Sequence, residues 1–360
     1  MNTREINRQS IRIDDLFSIP RSLDWTLLMP RPRVVVTNRA FAQTLDLLST
    51  HCDVQANPGD EPWPTSDLLG HAAGAQGLLA FMPDCIDEAF LAHCPDLKVI
   101  ACALKGYDNF DIAACTRRGI WVSIIPDLLT EPTAELAIGL AIGLGRHILS
   151  SDRRAREGVF AGWRPTFYGR SLDGSCVAII GAGRVGRAIA RKLVGFDCEL
   201  LMVDANSSEP APARARFAPL SEALGKADFV FLAVPLDAGT QHMVDATWLT
   251  AMRPGALLVN PARGSVVMES AVADALSDGH LGGYAADVFE CEDWARTDRP
   301  AGIEPRLLAI PQRTLFTTHI GSAVQEVRAA IEHDAAQNLL EGLRGERPHG
   351  AINNPARSTP

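Results

Sequence analysis

The chain alternates short apolar runs with helix-length segments, and this alternation is its dominant pattern. In the first third, VVVT (34–37), GLLAF (77–81), KVIACA (98–103) and GIWVSI (119–124) read as strands. Helix-length stretches near 40–50, 86–93 and 110–118 separate them. Apolar runs joined by such crossovers predict a parallel sheet with helices on its faces. A long helix is predicted from Thr133, after Pro132, toward Arg156. Its Gly139 and Gly143 lie four apart on one face, where another helix would approach closely.

A second series begins at CVAII (176–180) and continues through LLMVD (200–204), DFVFLAV (228–234), GALLVN (255–260) and GGYAAD (282–287). It closes at LFTTH (315–319), and a last helix over about 323–345 lies beyond it. Assigning that helix to the first series makes the first domain discontinuous. The expected organisation is a substrate-binding domain over 31–128 plus 323–360 and a nucleotide-binding domain over 129–322. Residues 1–30, with scattered apolar positions and no sustained period, read as an N-terminal extension, and Met29 is an alternative start.

A length of 360 residues agrees with two domains. The net charge of −9 argues against a nucleic-acid or anionic-membrane surface, while leaving room for a local cationic pocket. The eight cysteines include no C-x-x-C and no zinc-like cluster, so the expectation is reduced thiols in a cytoplasmic protein, and no metal. The apolar run at 136–145 falls short of the ~20 residues that span a bilayer.

The segment CVAIIGAGRVGRAIARKL places Gly181, Gly183 and Gly186 in a G-x-G-x-x-G pattern directly after a strand and opening a helix. In that context the pattern predicts a dinucleotide site. Gly181 allows the tight turn, Gly183 the close approach of a pyrophosphate, and Gly186 helix–strand packing. Asp204 ends the next strand, 18 residues after Gly186, where a carboxylate accepts from ribose hydroxyls. No Lys or Arg occurs in the nine residues after it, so NAD is expected over NADP. The fold class expected is α/β, with two Rossmann-like domains built on parallel sheets.

Three ionisable residues lie at the ends of late strand–helix units: Arg263 after GALLVN, Glu292 after GGYAAD, and His319 ending LFTTH. Ligands bind beyond the carboxyl ends of strands in such sheets, so the three can converge. An arginine fork captures an oxyanion, and a histidine paired with a carboxylate exchanges a proton while hydride moves.

NPARGSVV (260–267), AADVFE-x-E (285–292) and THIGS (318–322) resemble signatures of the D-2-hydroxyacid dehydrogenases, and the resemblance spans about 33–350. It implies an Arg263, Glu292 and His319 triad, NAD as cofactor, and a homodimer to which the helix from about 133 contributes. It also implies cofactor contacts from Thr133, Arg184, Val185, Pro235, Ala262 and Asp287.

A narrower resemblance is to the phosphonate (phosphite) dehydrogenases. It rests on FMPD (81–84), ALKGYDNFD (103–111), the segment 126–147, GWRPTFYG (162–169) and FECEDWARTDRP (289–300). It implies that Lys105 joins Arg263 on a phosphite dianion, and that Met82, Gly106, Trp163, Tyr168 and Ser322 line or close the site. His319, oriented by Glu292, then removes the proton of an attacking water; a family alternative gives Arg263 that role. Three features depart from the pattern: Thr318 in place of Pro, one extra residue in IPQRT (310–314), and Glu131 where an apolar residue is expected. Two other functions share the architecture: a 2-hydroxyacid dehydrogenase or glyoxylate/hydroxypyruvate reductase, and an NAD-sensing regulator like the C-terminal binding proteins.

Overall fold

The computed structural model describes residues 31–205, 209–212 and 214–355. The N-terminal extension and the start at Met29 lie outside the described residues.

Two parallel sheets carry the chain. The first is formed by β1 (Arg33–Val36), β2 (Asp53–Ala56), β3 (Gly77–Ala80), β4 (Val99–Cys102) and β5 (Trp121–Ser123), in the order β2-β1-β3-β4-β5. Between them run α1 (Ala42–His51), α2 (Thr65–Ala72), α3 (Glu88–His93) and α4 (Ile112–Arg117). Side chains alternate across each strand, so Val34 and Val36 join a core on one face while Val35 joins the other. The C-terminal helix α12 (Gln325–Leu343) packs on this sheet, with Ile331, Ala335 and Leu339 fully buried beside α1. It comes close to β4 because Gly342 has no side chain: a Cβ there would meet Val99 Cγ2 at 2.6 Å.

The chain crosses to the second sheet through α5 (Thr130–Gly145) and α6 (Ile148–Arg156). This sheet holds β6 (Cys176–Ile180), β7 (Glu199–Val203), β8 (Ala215–Phe217), β9 (Phe229–Leu232), β10 (Leu257–Asn260), β11 (Gly283–Ala286) and β12 (Thr314–Phe316). Its order is β12-β11-β10-β9-β6-β7-β8, with the reversal between β6 and β9. Helices α5 and α7 (Arg184–Leu193) cover one face. Helices α8 (Leu220–Lys226), α9 (Ala246–Thr250), α10 (Glu269–Ser277) and α11 (Pro305–Leu308) lie along the other. The α/β architecture with two parallel, Rossmann-like sheets is thus present.

Several local expectations change. The helix expected to run from Thr133 to Arg156 breaks after Gly145: the Gly145 carbonyl accepts from Arg170 N–H at 2.8 Å, and His147 turns left-handed at φ 53°. Gly143 brings α5 against β12 rather than another helix, since a Cβ there would meet Leu315 Cδ2 at 2.7 Å, while Gly139 faces open space. Glu131 pairs with Arg191 at 2.7 Å and Lys192 at 2.8 Å, tying α5 to α7. Edge strands β2 and β8 are additions; half-exposed, they lack the continuous apolar runs that marked the buried strands. No helix among the described residues is long and apolar enough to cross a membrane.

Candidate active site

The carboxyl ends of β6, β9, β10, β11 and β12 open on a cavity of about 580 Å³, closed on the opposite side by residues 105–108 and 124–133. It lies at the β6/β9 reversal, where the loops diverge and leave a crevice.

The nucleotide side is backbone. Gly181 sits at φ 105°, and a Cβ there would lie 2.5 Å from Ala233 O. A Cβ on Gly186 would lie 2.0 Å from Gly181 O, so α7 packs against the turn only with glycine at both positions. Gly183, in contrast, has nothing within 4 Å of its Cβ position, and no side chain caps α7. That uncapped helix start, with Gly183, Arg184 and Val185 lining the cavity, fits a pyrophosphate. The Asp204 carboxylate accepts from Ala182 N–H at 2.7 Å, fixing it beside the turn. Thr133, Pro235 and Ala262 also line the cavity, and Thr133 Oγ donates to Leu129 O at 2.7 Å. These features fit NAD, with Asp204 at the ribose and the first turn of α7 at the phosphates.

At the other end His319 Nδ1 donates to Glu292 Oε2 at 2.7 Å, which leaves Nε2 for the cavity. Glu292 is held in turn by Phe289 N–H, 2.6 Å from its other oxygen. His319 itself is left-handed at φ 55°, a conformation that costs about 1–3 kcal/mol in a non-glycine residue. Asp287 maintains it. The buried Asp287 carboxylate accepts from Thr317 Oγ at 2.6 Å and from the Ile320 and Gly321 N–H groups at 2.8 Å each. Asp287 lines the cavity wall, and its carboxylate also holds the histidine loop. Thr318 and the longer IPQRT segment leave the His319–Glu292 pair formed.

Arg263 lies on the same cavity. Its Nε donates to Asp108 at 3.0 Å and its Nη1 to Ala262 O at 3.0 Å. Asn260 shapes the preceding turn, accepting from Ala262 N–H at 3.0 Å and donating to Arg263 O at 2.9 Å. Gly106 makes room for the guanidinium, since a Cβ would fall 1.5 Å from Nη2. Lys105 is half-buried in the cavity wall and pairs with no carboxylate among the described residues. Burial holds its pKa below the usual lysine value; Arg184 adds to this, Asp127 opposes it, and Arg263 adds further. Arg184 pairs with Asp127 at 2.7 Å.

Ser322 also lines this cavity. Met82 lies in an adjoining recess of about 710 Å³ that shares His319 and Ser322. Trp163 and Tyr168 are not brought to the site within the chain. They stand 77% and 78% exposed beyond α6, with Trp163 lining a separate hollow beside Arg146 and Phe167. Both residues follow α6, which begins past the left-handed His147. Asp108 and Asn260 were missed by the sequence reading. Asp108 stands three residues after Lys105 and Asn260 three before Arg263, but only the fold shows what each holds. No group of three or more His, Cys, Asp or Glu able to hold a metal occurs among the described residues.

A nucleotide turn facing an imidazole–carboxylate pair and a cationic pocket is the site of a hydride-transfer enzyme. Comparison with known proteins agrees. Residues 138–321 match the NAD binding domain of the D-isomer specific 2-hydroxyacid dehydrogenases. The chain is 34% identical to a glyoxylate reductase of Pyrococcus furiosus over 330 residues, covering 90% of this chain and 96% of the relative. A glyoxylate reductase of Thermofilum pendens is also 34% identical, over 90% of this chain and 95% of the relative. Among solved structures, the TT0316 protein from Thermus thermophilus superposes with a TM-score of 0.80 at 34% identity, over 89% of this chain and all of that one. A putative D-isomer specific 2-hydroxyacid dehydrogenase from a Polaromonas species gives 0.81 at 29% identity, over 90% of this chain and 100% of that one. The chain belongs to the D-isomer specific 2-hydroxyacid dehydrogenase family and is an NAD-dependent oxidoreductase.

Proposed function

We propose that the chain interconverts a small 2-hydroxy acid and its 2-oxo acid, of the glyoxylate class. The observation that carries this reading is the His319–Glu292 pair opening on the same cavity as Arg263. Arg263, steadied by Asp108, turns Nη2 over Gly106 for the carboxylate of the substrate. In oxidation, His319 Nε2 takes the hydroxyl proton as hydride leaves C2; in reduction it returns that proton to the carbonyl oxygen. Glu292 keeps the imidazole in the Nδ1–H tautomer and offsets its positive charge. When bound, NAD supplies the hydride acceptor or, reduced, the donor. The two glyoxylate reductases, each 34% identical, support this substrate class.

A second reading, oxidation of phosphite to phosphate, is favoured by one observation: Lys105 on the same cavity as Arg263. Two cations suit a dianion better than a monoanionic carboxylate. Here water bonds to phosphorus as the P–H hydride leaves for NAD, and His319 accepts the water proton. The test follows NADH formation with phosphite, D-lactate and D-glycerate, and NADH consumption with glyoxylate. Turnover of the hydroxy or oxo acids without phosphite supports the first reading. Phosphite alone supports the second, and silence on all four overturns both.

We read residues 31–128 plus 323–360 as the substrate-binding unit and 129–322 as the NAD-binding unit. We also read the chain as a homodimer, because exposed Ile148, Phe160 and Trp163 form apolar surface on and beyond α6. A monomeric mass by light scattering overturns that.

A further inference from the structure

Lys105 and Arg263 reach one cavity from different sheets, and nothing covalent near the site sets their spacing. Lys105 follows β4 of the first sheet, and Arg263 follows β10 of the second. Two cations facing one space repel each other, so their loops need a link that opposes separation. The Asp108–Arg263 ion pair is one link. A second runs through the loop just after Glu292.

That loop, residues 293–296, touches both sides. Toward Arg263, the buried Asp293 carboxylate accepts from Ser265 N–H at 2.6 Å, and Arg296 Nη1 donates to Ser265 Oγ at 2.6 Å. Ser265 is two residues from Arg263, and Gly264 between them packs on the Phe289 backbone with no room for a side chain, its Cβ position being 1.9 Å from the Phe289 carbonyl carbon. Toward Lys105, Ala295 N–H donates to Asn109 Oδ1 at 3.1 Å. Asn109 is buried, four residues from Lys105, and its Nδ2 donates to Met82 O at 3.1 Å. One short loop therefore engages the turn of Arg263 and the loop of Lys105, where Asn109 in turn holds the backbone of Met82, and it leaves directly from Glu292.

We propose that residues 293–296 form a strut, and that Asn109 and Arg296 are positioning residues that set the spacing of Lys105 and Arg263 around the substrate oxyanion. This rests on the reading of the cavity as a small-oxyanion site. Asn109 acts through the Lys105 loop and Arg296 through Ser265; neither reaches the nucleotide turn. Loss of either end loosens the anion site and leaves the cofactor site as it is.

The experiment is calorimetric titration of the NADH-loaded chain with oxalate and with phosphite, neither of which turns over in that state. Asn109→Ala and Arg296→Lys test opposite ends of the strut, so one variant decides if the other fails to fold. Each is expected to raise the anion Kd about tenfold, as for a buried hydrogen bond left unmade. The NADH Kd should stay within about twofold. In a Lys105→Ala background, Asn109→Ala should add nothing, since its effect passes through Lys105. Unchanged anion affinity in the folded variants overturns the inference while leaving the oxyanion reading intact. So does a parallel rise in the NADH Kd, which marks general loosening. A parent chain that binds neither anion overturns the oxyanion reading, and the strut with it.

Discussion

The two ends of the cavity are built by opposite means. The phosphate-binding part of the nucleotide end comes from one stretch of chain, β6, its turn and the start of α7, and its critical glycines lack side chains. The anion end comes from four separate segments, carrying Lys105, Arg263, Asp287 with Glu292, and His319, with every functional group on a side chain. A backbone site is maintained by sterics within a few residues, whereas a side-chain site is maintained by hydrogen bonds from distant residues. The ends should therefore fail independently.

The largest separation is expected from His319→Ala. Removing the proton-transferring group should lower kcat by about a thousandfold, while NADH affinity, read by fluorescence titration, stays unchanged. Retained turnover would remove His319 from the chemistry. Gly106→Ala comes next. A Cβ placed 1.5 Å from Arg263 Nη2 must displace the guanidinium, raising the substrate KM by about 10–100-fold with little change in the KM for NAD.

Gly181→Ala breaks the other end. At φ 105°, with Ala233 O 2.5 Å from the new Cβ, the turn is expected to lose about 1–3 kcal/mol, seen as a lower Tm and a raised Kd for NAD. The intrinsic anion affinity, measured at saturating cofactor, should hold. A smaller effect is expected on cofactor choice. Asp204 beside the Ala182 N–H repels a 2′-phosphate, so kcat/KM should favour NAD over NADP, and Asp204→Ala should narrow the gap.

The smallest effect is one of pH. In the proposed site the charged ammonium of Lys105 holds the anion, and its pKa lies below the lysine norm, chiefly through burial. Anion affinity is full below that pKa and falls as pH rises through it, earlier than an ordinary lysine would give. Lys105→Arg, which stays charged, should move the loss to higher pH. A pH profile of anion Kd that is identical in the two proteins would show that Lys105 does not hold the anion.

What could be read from the chain follows the same division. The strand–turn–helix around Gly181, Gly183 and Gly186 was legible because strand, glycines and helix are contiguous and each constrains its neighbours. Arg263, Glu292 and His319 were found by their place after apolar strands and by family resemblance. Asp108, Asn109 and Arg296 were not legible, because their partners lie more than 150 residues away or in another loop. The break at His147 was hidden for a related reason: it depends on Arg170 claiming the Gly145 carbonyl. Trp163 and Tyr168, assigned to the site by resemblance alone, are exposed and do not line the cavity within the chain.

By itself the sequence determined the buried strands, the glycine turn and the kinds of functional group available, since strand apolarity and φ > 0 are conditions met residue by residue. The tertiary structure decided which groups meet. The order of two sheets brings Lys105 opposite Arg263, the Asp287 carboxylate holds a left-handed His319 against Glu292, and the loop after Glu292 links both sides. Convergence of this kind depends on distances between separate loops, and no local property of the chain encodes them.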